Sequence, residues 1–98
     1  MQKTDFGGLI RELREQKDMP IRKLAHELDI DTSTLSKIER QERQVNLQMI
    51  PIIARVFDLD YKELQVKFLS EKIMTEYGDA DYLADALNTI LETMTAKQ

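Results

Sequence analysis

The sequence predicts an all-α fold, and three observations carry that prediction. Apolar residues recur at i, i+3, i+4 and i+7 through most of the chain, the period of a helix with one buried face. No stretch shows the strict apolar–polar alternation of a half-buried strand. Most periodic stretches open on Thr, Asp or Asn, whose short side chains accept from unpaired first-turn N–H groups, or on proline, whose missing N–H would be unpaired there anyway.

The elements follow in order. In TDFGGLIRELREQKD, Thr4 or Asp5 can cap a helix whose stripe is Phe6, Leu9, Ile10 and Leu13, with Gly7 and Gly8 weakening the first turn. PIRKLAHEL opens on Pro20, turns Leu24, Ala25 and Leu28 inward, and ends at Asp29. Asp31 caps TSTLSKIER, anchored by Leu35 and Ile38. After the polar loop QERQV, Asn46 caps LQMIPIIARVF, with Leu47, Ile50, Ile53, Ala54 and Phe57 as its core side and Pro51 making its start irregular. Asp60 and Glu63 resemble a capping box at the head of DYKELQVKFLSEKIMTEYG, along which Tyr61, Leu64, Phe68, Ile73 and Tyr77 keep helical spacing. Gly78 suits a left-handed helix stop, and Asp79 is expected to cap a last helix lined by Leu83, Leu87, Ile90, Leu91 and Met94. The methionines read as core fillers.

Composition narrows the chemistry. The chain has 98 residues, one histidine and no cysteine, so disulfides and thiolate metal sites are excluded and a nucleophile–base pair has few residues to draw on. No cofactor, metal site or enzymatic activity is expected. No apolar run approaches the roughly 20 residues of a membrane span, and the N-terminus lacks a basic-then-apolar export pattern, so a cytoplasmic setting without membrane association is expected. The net charge of −4 is unevenly spread: residues 1–57 carry +1 and residues 58–98 carry −5. A nearly neutral first part can still bind phosphate if its cations gather on one face.

The segment LAHELDIDTSTLSKIER, residues 24–40, has the spacing of two short helices crossing through a tight turn. Ala25 is small where the helices approach, and Asp29 stands where the turn needs a left-handed residue, which Asp tolerates better than most. KLAHELDIDTSTLSKIER resembles the Cro/phage-repressor (XRE-like) helix-turn-helix family, whose pattern is LAxxLxI…STLSxIER. The resemblance runs over about residues 6–64, with IRELREQK before the segment and LDYKEL after it in order and spacing. It implies a five-helix, repressor-like helix-turn-helix domain over residues 1–64, and the apolar stripes beyond it read as a C-terminal extension, residues 65–98, whose appended helix forms a helical hairpin.

The resemblance also implies roles. The third helix would lie in the major groove of double-stranded DNA with its N-terminal residues against base edges. Thr32, Ser33, Ser36 and Lys37 match the outward positions, and Lys37 can donate to guanine O6 and N7. Thr34 matches a phosphate-contacting position; Arg40 and Arg43 would sit beside the backbone or a groove edge; the helix start near Asn46 and Leu47 offers N–H groups to a phosphate. Arg14 and Glu39 match an internal salt bridge. The sequence departs from the family pattern at Pro20 and Ile21, where Ser then Gln is frequent. Ile21 has no donor, so the phosphate clamp of that Gln is absent or passes to Arg22 or Lys23. Asp29 in place of Gly is a milder departure.

Two helices cannot hide all of Phe68, Ile73, Leu83, Leu87, Ile90 and Met94, so some must meet the first domain or a second chain. A twofold homodimer would set two reading helices roughly 34 Å apart, one turn of DNA. The expected function is therefore a sequence-specific regulator of bacterial or phage type, a repressor on a palindromic operator or an activator that touches RNA polymerase. Regulators of this kind also accompany restriction–modification systems and toxin–antitoxin pairs, and the appended helices fit either. The rival expectation is a protein-interaction module, or an antitoxin-type protein binding a cognate partner, that keeps the scaffold without the DNA.

Overall fold

The computed structural model describes residues 5–97; Thr4 and the initiator Met1 lie outside the described residues. Among those described, the chain forms α1 (Phe6–Gln16), α2 (Ile21–Glu27), α3 (Thr32–Glu39), a short 3-10 helix (Leu47–Met49), α4 (Ile50–Val56), α5 (Tyr61–Tyr77) and α6 (Leu83–Ala96), with no strand. The all-α prediction holds, and the periodicity that supports it is visible in what each helix buries.

Helix starts follow the capping residues in most cases. The Asp5 carboxylate accepts from the Gly8 N–H, Asp31 from Thr34 N–H at 2.6 Å, Asn46 from Met49 N–H at 3.1 Å and Asp60 from Glu63 N–H at 2.9 Å. Pro51 falls in the first turn of α4, and the turn before it tightens into the 3-10 helix, so the expected irregularity takes a defined form.

Four helix ends share one device. Asp18, Asp29, Gln41 and Asp58, just past α1 to α4, have φ of 51°, 58°, 66° and 53°. In each case the next residue's N–H returns to a carbonyl in the last turn: Met19 to Arg14 at 3.0 Å, Ile30 to Ala25 at 3.0 Å, Glu42 to Lys37 at 2.8 Å and Leu59 to Ala54 at 2.8 Å. This left-handed closure satisfies carbonyls that the helix leaves unpaired. None of the four is glycine, although an L side chain is disfavoured in that conformation.

The chain divides into two compact units, one ending at Phe68 and one beginning at Leu69, with the division inside α5. In the first unit Ile10, Leu24, Leu35, Ile38, Ile50 and Ile53 are the largest fully buried side chains. Val45, in the loop read as polar, is buried with them. Leu64 and Phe68 of α5 complete this core, and the Phe68 ring meets Phe6 edge-on, centroids 5.7 Å apart. Leu47, assigned to the core side of its helix, is exposed, because the 3-10 turn rotates it off the stripe that Ile50 and Ile53 follow. Gly7 is buried where α1 crosses α3, and a Cβ there would collide with the Ile38 carbonyl oxygen. The glycine, read from sequence as a weak point of its turn, permits the close crossing.

The second unit departs from expectation in several places. No glycine among the described residues has positive φ; Gly78 instead donates to the Met74 carbonyl at 2.9 Å, so α5 ends without a left-handed stop. Asp79 does not cap α6. Residues 79–82 turn first, and α6 starts at Leu83 behind Tyr82, with no side-chain cap. Met19 and Met49 do fill the first core, but Met74 and Met94 are exposed, because no residue of α6 is buried and α5 buries only Leu64 and Phe68.

Candidate nucleic-acid interface

The candidate site is built on α3, and the core decides which way that helix faces. Leu35, Ile38 and Glu39 are buried. Thr32, Ser33, Lys37 and Arg40 are therefore left exposed, with Thr34 and Ser36 half-buried. Spacing accounts for most of this: residues three and four apart share a face, so burying 35, 38 and 39 turns 33, 37 and 40 away, while Thr32, on the Leu35 side, is exposed as the first residue of the helix.

One ion pair fixes the helix in place. Arg14 Nε lies 2.8 Å from Glu39 Oε2, and a second guanidinium nitrogen lies 3.0 Å from Oε1, a two-point contact between α1 and α3. The remaining nitrogen donates to the Met19 carbonyl at 2.8 Å, which ties in the chain leading to α2. Both side chains are largely buried, 14% and 5% exposed. Hydrogen bonding to Glu39 holds the Arg14 guanidinium even more firmly protonated than usual, against the opposing effect of burial. Ala25, 2% exposed, provides the smooth surface that lets α2 pack against α3.

The exposed charges near α3 form two small groups. Asp31 is held below the usual carboxylate range, first by its hydrogen bond from the Thr34 backbone, then by the Thr34 hydroxyl, with Lys37 and Arg43 adding smaller attractions. Lys37 and Arg43 thus share the neighbourhood of the helix start. At the other end, Arg40 Nε donates to Glu42 at 2.8 Å, and a terminal nitrogen donates to Ser36 Oγ at 2.9 Å. Glu42 is lowered in turn, by the hydrogen bond and charge of Arg40 and then by Lys37. Lys37 attracts both acids.

The other candidates are more scattered. Arg22 and Lys23 are exposed on α2. Ile21 is half-buried and packed against the core, which accounts for an apolar residue at that position. The Asn46 side chain spends its carbonyl on the Met49 N–H, so one donor at that helix start is already satisfied. Among the residues expected to pair chains, Phe68 belongs to the first core, 6% exposed, and is corrected on that ground: it lies on the α5 face that covers α1. Ile73 and Leu83 are half-buried, while Leu87, Ile90 and Met94 are exposed by 39%, 54% and 60%. Leu91 on the same stripe, and Met74, Tyr77 and Tyr82 near the α5–α6 turn, are exposed apolar residues not in the expected pairing set. Among the described residues no helix is long and apolar enough to cross a membrane, and no cluster of His, Asp or Glu could hold a metal ion.

Two short helices, α2 and α3, joined through the left-handed Asp29, with the second tied to α1 by an ion pair and displaying hydroxyls and a lysine, have the arrangement of a helix-turn-helix DNA-binding domain. The helix-turn-helix family model matches residues 10–64, more than half of the chain, and the chain belongs to that family in its XRE, Cro/repressor-like branch. No curated protein and no solved structure gives a match. The protein is a DNA-binding regulator of the XRE kind, in a family of regulatory domains and not of enzymes.

Proposed function

We propose that this protein is a transcriptional repressor that binds a palindromic operator as a homodimer, in the cytoplasm of a bacterium or of a phage-infected cell. The observation that carries the reading is the outward set on α3: Thr32, Ser33 and Lys37 are exposed on a helix whose opposite face is locked by Leu35, Ile38 and the Arg14–Glu39 pair. Lys37 reads guanine O6 or N7, and the hydroxyls of Thr32, Ser33 and Ser36 serve base edges or phosphates. Thr34, Arg22, Arg43 and the helix start at Asn46 position the domain on the backbone, contacts that orient without specifying sequence. Net acidity is compatible with this reading because residues 65–98, the part of the chain assigned to pairing, carry −3 of the net −4.

Dimerisation rests on α6. Leu87, Ile90, Leu91 and Met94 form one exposed stripe that the chain itself leaves uncovered, and a second copy meeting it would couple two reading helices. The same stripe favours a second reading, an antitoxin-type protein that docks a cognate partner there, and a helix-turn-helix regulator can also touch RNA polymerase. The deciding experiment is recovery and sequencing of genomic fragments bound by the purified protein, beside a Ser33→Ala/Lys37→Ala variant at two salt concentrations. Enrichment of one inverted repeat, lost in the variant, is expected. A folded protein that enriches nothing at low salt would leave the domain as a scaffold for protein partners.

A further inference from the structure

Arg40 differs from the other exposed cations near α3. Its side chain folds back along the helix: Nε is engaged by Glu42 at 2.8 Å and a terminal nitrogen by Ser36 Oγ, one turn earlier, at 2.9 Å. Two of the donors a phosphate would recruit are therefore already occupied by groups of the same chain. Glu42 is placed for this by the left-handed residue Gln41, φ 66°, and by its own N–H, which returns to the Lys37 carbonyl at 2.8 Å. The carboxylate thus sits on backbone closed against the helix end, two residues beyond the arginine it holds.

We propose that Glu42 is an affinity-setting residue of the DNA interface: it latches Arg40 over Ser36 and withholds it from phosphate contact, weakening the sequence-independent grip of the domain. This rests on the DNA-binding reading and goes beyond it by giving Arg40 a different part from Lys37 and Arg43. Phosphate contacts supply essentially all of non-specific binding, and each releases counterions. A cation whose charge is offset by an internal carboxylate, with two of its five N–H donors engaged, contributes in full only when that pair opens. The specific-to-non-specific ratio is then higher than with Arg40 unlatched, because Lys37 and Ser33 still read bases. The latch also uses the Ser36 oxygen as an acceptor.

The experiment has two arms. In the free protein, NMR titration of the Glu42 carboxyl is compared between wild type and Arg40→Ala. The carboxyl is expected to titrate at lower pH in wild type, since the Lys37 attraction remains in both. Equal values would mean no latch in solution and would overturn the proposal without touching the DNA reading. In the second arm, binding to a random-sequence duplex of roughly two helical turns is measured across a salt series for wild type, Glu42→Gln, Arg40→Ala and the double variant. Glu42→Gln is expected to bind about two- to fivefold tighter at low salt, the scale of an exposed ion pair. Its log–log salt slope is expected to steepen by about 0.9, one added phosphate contact. The double variant should match Arg40→Ala. A gain that persists without Arg40, or that Glu12→Gln on α1 reproduces, would overturn the latch in favour of simple repulsion. Failure of every variant to bind the duplex while the titration shows the latch would instead refute the DNA-binding reading, and this proposal with it.

Discussion

Glu39 is the buried charged residue of the first core, 7% exposed, and its two oxygens are taken by one arginine from another helix. Removing one member of such a pair strands the other in a poorly solvated place. Glu39→Ala is therefore expected to lose about 3–5 kcal/mol of stability in urea denaturation; an unchanged midpoint would show that the bridge is ornamental. Asp31 makes a pH prediction. Its folded pKa lies below the ordinary 3.8, so its contribution is fully present above that value and is lost as pH falls through the depressed one. The gap in melting temperature between wild type and Asp31→Ala should be constant above the ordinary carboxylate range and close on further acidification. A gap that widens in acid would reverse the sign of the argument. The Asp31 cap was legible from residue type and position, and the surroundings of Glu39 and Glu42 were not. The Arg14–Glu39 pair followed from resemblance to a family, while the groups around Glu42 could not be read because Gln41 looked like an ordinary loop residue.

Among the elements, α1 to α4 were legible because each pairs an apolar stripe with a start signal, and their ends were less so. Glycine is the usual mark of a left-handed helix end, and this chain uses Asp or Gln at four such places. Asp29 could be identified by the family's turn; Asp18, Gln41 and Asp58 carried no comparable signal. Each of these side chains pays a conformational cost that glycine avoids, and the aspartates also add negative charge where a helix end is already negative. Asp58→Gly is accordingly expected to raise stability by roughly 0.5–1 kcal/mol in chemical denaturation, with the loss of unfolded-state restriction keeping the gain small. A destabilised variant would mean that the Asp58 side chain makes a compensating interaction. In the second unit the signals misled, since Gly78 and Asp79 have the right identities for a stop and a cap but lie in a turn that delays α6 to Leu83.

For the whole molecule, the unburied stripe of α6 is the main unsatisfied feature. Four apolar side chains along one helix, all exposed, would stabilise association by removing apolar surface from water. Leu87→Glu/Leu91→Glu is expected to convert a dimer to a monomer in light scattering, to leave the melting of the first unit nearly unchanged, and to weaken operator binding at least tenfold by loss of linked contacts. A wild-type protein that is monomeric at all concentrations would remove the pairing role from α6. The sequence by itself determined the helical class, most of the inward residues of the first four helices and the exposure of Thr32, Ser33 and Lys37 on α3, because helical period and side-chain polarity are local properties. Only the tertiary structure decided that Phe68 belongs to the first core, that Gly7 is there for the crossing with α3, that Arg40 is engaged and that α6 buries nothing. Each of these depends on which surfaces meet, and contact between residues distant in the chain, or around a left-handed turn, leaves no period in the sequence.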